Sequence, residues 1–385
     1  MEFTRYGALA ALALAVTLIV TGQEGRRRGL RYTTFISFAV LAIPLTLICS
    51  RLVYCLASLS YYTETIGNAS LMLHLRDGGY SMLGALLGLI AAALLVSAIS
   101  LKGKRDHLPN LPQYEGETTT KRWWMRHTLL DSLALGMPLG LLISRLAEPL
   151  CSMGLTEIGW GYPYTSPLFA FLESHCDGLH PVFAYEAVAA AVIFAVLLII
   201  RRHARQGDVF LSFLLLFGCS QTVLESMIST KHMMFLFVHI TQVATLLMAL
   251  LPLILWSIRY PRPDRSAKLR LLAAWALAVA SIVSALVQEI NVTGADRTEA
   301  IAPYVPLLLA TGAAFWCVMW RKASLVRLLS VIIASSIAIA AILIDQTDLI
   351  GEHYRLALWG IMACDMLLLC LTGFALRRAA DNNEQ

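Results

Sequence analysis

Arg145 and Glu148 stand three residues apart at the end of an apolar run, on one face of a helix at the edge of a bilayer core. They suit a mutually neutralising pair, a snorkelling pair or a binding site. Arg51, in Cys49-Ser50-Arg51-Leu52, closes a second apolar run, where it can snorkel or bond the ends of neighbouring helices. Glu186 enters a third run in His180-Pro181-Val182-Phe183-Ala184-Tyr185-Glu186. Pro181 needs no more than a helix start to explain it, whereas Glu186 lies a turn deeper in apolar sequence. Phe217, Gln221 and Glu225 recur at four-residue spacing on one helical face. His239 and Gln242 lie within another run and can hydrogen-bond between helices. Asp77-Gly78-Gly79 reads as a helix N-cap on a tight turn.

Ionisable groups are expensive in hydrocarbon and by default mark a site. An arginine grips a phosphate through two parallel bonds. Carboxylates and imidazoles take up and release protons. Together these residues suit chemistry on a phospholipid headgroup that enters sideways from the outer leaflet. They suit a proton-coupled transporter equally well, and spacing leaves both open.

The elements that must hold these groups are membrane spans. The chain has 385 residues, of which 58% are hydrophobic and 14% charged, and its mean hydropathy is +0.69. A soluble domain carries roughly 25% charged residues, so a water-soluble fold is excluded and lipid is the solvent. Eleven apolar runs reach the length of a span: 5–22, 34–57, 79–100, 129–148, 181–200, 208–226, 233–257, 269–288, 303–320, 326–344 and 356–376. The fourth, with Gly136, Pro138 and Gly140, is expected to be the least regular, since breakers are tolerated only where protein or water covers the freed backbone. The expected fold is an all-α polytopic bundle.

The net charge is +5, and most of the 30 basic residues fall in alternate connections. Arg26 to Arg31, Lys102 to Arg126, Arg201 to Arg205, Arg259 to Arg270, Arg321 to Arg327 and Arg377-Arg378 share one side if all the runs span. That side is the cytoplasm, which places the N-terminus outside and the C-terminus inside. No cleavable signal peptide is expected, because Tyr6 to Thr21 runs into Gln23-Glu24-Gly25-Arg26-Arg27-Arg28. Residues 101–128 form a long cytoplasmic loop ending in the interfacial pair Trp123-Trp124, and 149–180 form a long external one. Most of the eight cysteines lie inside apolar runs as packing residues, whereas Cys151 and Cys176 share the external connection and can be bridged there. Tyr260-Pro261-Arg262-Pro263-Asp264-Arg265 marks a boundary before the last four runs, and no internal repeat is visible.

Five segments fall in a known order. Arg5-Tyr6-Gly7 opens the first run and Gly25-Arg26-Arg27-Arg28-Gly29-Leu30 follows it. Ser50-Arg51-Leu52-Val53-Tyr54 closes the second, and Asp77-Gly78-Gly79-Tyr80-Ser81-Met82-Leu83-Gly84 begins a glycine-rich third. Thr156-Glu157-Ile158-Gly159-Trp160-Gly161-Tyr162-Pro163 precedes His180-Pro181-Val182-Phe183-Ala184-Tyr185-Glu186. Gly207-Asp208-Val209-Phe210, Phe217-Gly218, Glu225 and Gln242 complete the set. Over about residues 5 to 257 this order resembles the prolipoprotein diacylglyceryl transferase family.

The resemblance implies transfer of a diacylglyceryl group from phosphatidylglycerol to the lipobox cysteine of a lipoprotein precursor, at the outer face of a bacterial plasma membrane. It implies His180, Tyr6 and Glu186 in catalysis, and Arg145, Arg51, Glu148, Tyr185, Gln221 and Glu225 in substrate binding. Membrane lipids and the precursor are the implied partners. Nucleic acid, metals and organic cofactors have no part. Residues 1–258 would form a transferase-like domain of seven spans and 259–385 an additional four-helix region. The chain departs from the family pattern at several positions. The signature Gly-Arg-x-Gly-Asn-Phe is Ser144-Arg145-Leu146-Ala147-Glu148-Pro149 here, which sets a carboxylate where a phosphate should bind. Gln221 replaces the family's second arginine, Phe217 its tyrosine, and Leu83 a histidine that some members carry. The rival readings are a non-catalytic relative that binds lipid or lipoprotein, and the transporter.

Overall fold

The computed structural model describes residues 5–59, 70, 79–99, 118–148, 160–163, 179–228, 234–235, 238–259, a broken set between 268 and 289, and 354–381. In chain order these form α1 (Arg5–Arg27), α2 (Tyr32–Ala57), α3 (Met82–Ile99), α4 (Thr118–Ala147), β1 (Trp160–Pro163), β2 (Leu179–Pro181), α5 (Val182–Ile200), α6 (Asp208–Ser226), β3 (Met234–Phe235), β4 (Val238–His239), α7 (Ile240–Arg259) and α8 (Tyr354–Asp381). Among the described residues, eight helices are long and apolar enough to cross a membrane, with Ala274–Val283 a shorter apolar helix. The protein is therefore a polytopic helical membrane protein, with two small antiparallel strand pairs among the described residues. Val40, Val188, Ile199 and Ile258 remain exposed on these helices, as expected of side chains covered by lipid. The runs 303–320 and 326–344, Asp77-Gly78, Cys151, Cys176 and the boundary at 260–265 lie outside the described residues, as do most of the two long connections.

The chain divides into two compact units, Met1–Ile158 with Phe183–Phe213 and Gly159–Val182 with Leu214–Gln385. In the first, α1 packs along α4 and α2 along α3. Both pairings depend on small residues that let backbones approach. A Cβ at Gly84 would lie 2.7 Å from the Ser50 Cα, and one at Gly88 would lie 2.7 Å from the Thr46 Cα. A Cβ at Gly136 would lie 2.5 Å from both the Thr17 carbonyl and the Thr21 hydroxyl.

The fourth run forms one continuous helix, α4, which passes through Pro138 and takes in Trp123-Trp124. Its glycines accommodate α1, and that neighbour covers the backbone there. Near the middle of α4, buried Asp131 accepts N–H bonds from Gly207 at 2.8 Å and Phe210 at 3.0 Å, capping α6, and pairs with Arg28 at 3.0 Å. Glu24 pairs with both Arg28 at 3.0 Å and Arg201 at 2.8 Å.

In the second unit, β1 and β2 are antiparallel, with Trp160 opposite Pro181 and Pro163 opposite Leu179. The Tyr162 N–H donates to the Met227 carbonyl at 3.0 Å, tying this hairpin to the end of α6. A second hairpin, β3–β4, pairs Met234 with His239, so His239 precedes α7 rather than lying within it. Helix α8 packs on α7, with Trp256 and Phe374 ring centroids 6.4 Å apart.

Candidate active site

In the first unit, the last turn of α4 and the start of α5 bring three of the expected residues together. Arg145 forms ion pairs with Glu148, just past its own helix, and with Glu186 of α5. The Nε of Arg145 lies 2.9 Å from Oε2 of Glu186, an electrostatic contact rather than an aligned hydrogen bond. Glu186 is buried and the Arg145 side chain nearly so. Oε2 of Glu148 is buried without a hydrogen-bond partner among the described residues. One cation thus faces two carboxylates. The cluster can bind a phosphate only where that phosphate competes with a carboxylate for the guanidinium.

Arg51 does not snorkel. It is buried, its Nη1 donates to the Gly79 carbonyl at 3.1 Å, and its guanidinium sits 5.9 Å from the Tyr54 ring centroid. Gly79 adopts φ +75°, so only glycine presents that carbonyl without strain. The same junction is closed by Ser50 Oγ donating to the Ser81 carbonyl at 2.7 Å. Arg51 therefore ties the end of α2 to the start of α3. Tyr6 lies in the first turn of α1 and Tyr185 near the start of α5, both half-buried.

In the second unit, His180 is buried in β2. Desolvation pushes its pKa below the ordinary 6.5 and favours the neutral imidazole. Its ring stands perpendicular to that of Trp359 in α8, with centroids 5.6 Å apart. Gln221 and Glu225 share the buried face expected of them, with Nε2 of Gln221 3.4 Å from Oε1 of Glu225, and Phe217 is buried one turn before. Nε2 of Gln242 donates to the Thr222 carbonyl at 3.0 Å and to Glu289 at 2.9 Å. No group of three or more metal-ligating side chains occurs among the described residues.

Three residues of consequence escaped the sequence reading. Asp131 lies inside the fourth apolar run, and the rule that singled out Glu186 applies to it equally. Glu289 falls just past the eighth run and looks like a loop acid until Gln242 is seen to bond it. Trp359 carries no sequence signal, being one aromatic among many in an apolar run.

Residues 1–109 and 117–258 match the family model described as prolipoprotein diacylglyceryl transferase. A phosphatidylglycerol–prolipoprotein diacylglyceryl transferase of Clostridioides difficile is 26% identical over 228 residues, covering 58% of this chain and 77% of that protein. One of Bacillus velezensis is 24% identical over 257 residues, covering 66% of this chain and 87% of that protein. One of Listeria innocua is 24% identical over 249 residues, covering 64% and 82%. The matched stretch contains Arg145, Glu186, His180 and Glu225 and stops at the end of α7, so this chain belongs to the prolipoprotein diacylglyceryl transferase family and continues past it through a C-terminal region.

Proposed function

We propose that this chain transfers the diacylglyceryl group of phosphatidylglycerol to the cysteine thiol of a lipoprotein precursor, at the outer face of a bacterial plasma membrane. The observation that carries the reading is the Arg145–Glu186 ion pair. It joins two helices within the family match, one keeping the family's arginine and the other its His-Pro-x-x-x-Tyr-Glu motif. The thiol gives its proton to His180, whose burial keeps it neutral and able to accept. The sulfur bonds to the glyceryl carbon. The bond from that carbon to the phosphate oxygen breaks, and its electron pair leaves on glycerol phosphate. Arg145 meets the charge that grows on the phosphate, and Glu186 orients Arg145. Tyr6 assists catalysis, and Tyr185 and Gln221 offer neutral hydrogen bonds to the headgroup. Arg51 holds the α2–α3 junction, and Glu225 fixes Gln221. The scheme uses no metal and no organic cofactor.

In this reading seven spans in 1–258 form the transferase and four more follow in 259–385. The N-terminus and residues 149–180 face outward, and residues 101–128 and 377–385 lie in the cytoplasm. The one-sided basic residues support that orientation. Membranes containing the protein, given labelled phosphatidylglycerol and a lipobox peptide, should yield the thioether-linked product. No product from the wild type, together with lipid binding indifferent to Arg145, would overturn the reading.

The Arg145–Glu148 pair favours a second reading, a non-catalytic relative that binds lipid or precursor. With the guanidinium neutralised by its own chain, a phospholipid can bind without its phosphate being activated. Saturable binding of phosphatidylglycerol without turnover is the expected result in that case.

A further inference from the structure

Trp359 lies in α8, a hundred residues past the family match, yet it touches the hairpin that carries the family's histidine. Its ring centroid is 5.6 Å from that of His180 on β2 and 6.1 Å from that of Tyr162 on β1. It thus packs against both strands, and the hairpin is also held by the Tyr162 N–H bond to the Met227 carbonyl. Both His180 and Trp359 are buried, at 3% and 5% exposure, so the imidazole has little room to turn. The indole raises a second point. Its Nε1 donor is buried and has no hydrogen-bond partner among the described residues. A stranded donor is unfavourable, and phenylalanine would fill most of the same space without one. A buried N–H beside a histidine has a use where an acceptor oxygen arrives with a ligand.

We propose that the C-terminal region supplies Trp359 to the transferase site, where its ring positions the His180 imidazole and its indole N–H donates to an oxygen of the glycerophosphate donor. The assignment rests on His180 being the proton acceptor of the proposed reaction. The site then draws on a helix outside the family match, and the neutral indole donor offsets part of what the chain lacks where Gln221 replaces an arginine. A neutral donor binds an oxygen of the headgroup without adding the charge that the family's second arginine carries.

The test compares Trp359→Phe with Trp359→Ala in the full chain, reconstituted in nanodiscs containing phosphatidylglycerol. Thermal melts confirm that each is folded. Trp359→Phe keeps the ring and loses the donor. Its KM for phosphatidylglycerol should rise about fivefold, the scale of one neutral hydrogen bond, while kcat and the pH profile stay as in the wild type. Trp359→Ala opens His180 to water. Its kcat should fall about tenfold or more, as expected for a misplaced acid–base group, and the acid limb of its pH profile should move upward toward 6.5. Wild-type KM and wild-type pH profiles in both variants would overturn the assignment. Titration of isotopically labelled His180 in the same samples reads the positioning without turnover. If the wild type transfers nothing, the transferase reading falls. An unmoved His180 midpoint in Trp359→Ala then overturns the positioning role, and a raised one upholds it.

Discussion

Glu186 holds Arg145 across two helices, Oε2 to Nε at 2.9 Å, and so fastens the end of α4 to the second turn of α5. The pair explains how a guanidinium and a carboxylate persist where each alone would cost a few kcal/mol. It also leaves Arg145 with little freedom to turn toward anything that does not approach the same face.

Arg145→Lys keeps the charge and loses the planar fork that reaches Glu148 and Glu186 together. Diacylglyceryl transfer should drop about 10- to 100-fold, the rate equivalent of roughly 1.5–3 kcal/mol for a charge-assisted bond. Initial rates with labelled phosphatidylglycerol check this, and a rate within twofold of the wild type would remove Arg145 from the phosphate.

Glu148→Asn removes one of the two carboxylates that compete with phosphate for Arg145. Affinity for phosphatidylglycerol should rise about fivefold or more, by the scale of one lost ion-pair competitor. Gln221→Arg acts on the other unit, where the new guanidinium would meet Glu225, now 3.4 Å from the Gln221 amide. Turnover should rise there too if the second clamp is what the chain lacks. Lipid-binding isotherms and rates on both variants decide whether carboxylate competition or the missing arginine limits the protein.

In the proposed reaction His180 sets an acid limb. Its folded pKa lies below the ordinary 6.5 because burial disfavours the imidazolium. The neutral form is therefore kept at neutral pH, and activity should fall only as pH drops through a value under 6.5. Stability follows the same sign. The contribution of His180 is complete above 6.5, where folded and unfolded chains are both neutral, and is lost between 6.5 and the lower folded value, where only the unfolded chain takes up the proton. A pH series of kcat, with thermal melts on the same samples, checks both. An acid limb centred above 6.5 would assign it to another group.

Asp131→Asn keeps the shape but removes the charge that holds Arg28 and caps the first turn of α6 through Gly207 and Phe210. The loss should be about 3 kcal/mol, typical of breaking a buried pair by neutralising one partner. It should appear as a lower unfolding temperature in detergent with no change in the pH dependence of transfer.

Topology is open to labelling. Single cysteines in residues 101–128 should resist an impermeant thiol reagent in intact cells, and those in 149–180 should react, as the basic residues on one side require. Reaction in 101–128 would reverse the orientation.

Most of the spans were legible because hydrocarbon imposes length and polarity on sequence directly: seven of the described spans fall on the first seven runs, and the eighth on the last. Glu186, Glu225 and Arg145 were legible for the same reason, as charges in the wrong solvent. Partners were not. Nothing at position 51 distinguishes a snorkelling arginine from one that bonds the Gly79 carbonyl, because that choice depends on a φ of +75° 28 residues away. His180 and Trp359 are separated by nearly half the chain, and only packing brings an apolar-run aromatic onto a hairpin. Pro138, Gly136 and Gly140 showed that something must cover the fourth run, but not that α1 is the element that does so.

The glycines of α3 have a consequence for how a two-tailed lipid reaches this protein. At Gly84 and Gly88 the backbone of α2 lies so near that even a single added carbon would fall 2.7 Å from a Cα. A methylene chain is several ångströms across, so no acyl tail slips between α2 and α3 along that seam. In the proposed reaction the donor's tails therefore part other helices, and a product carrying two tails leaves by the same route or by another gap. Alanine at both glycines would prise the seam open, and the change would register first in which lipids copurify with the protein.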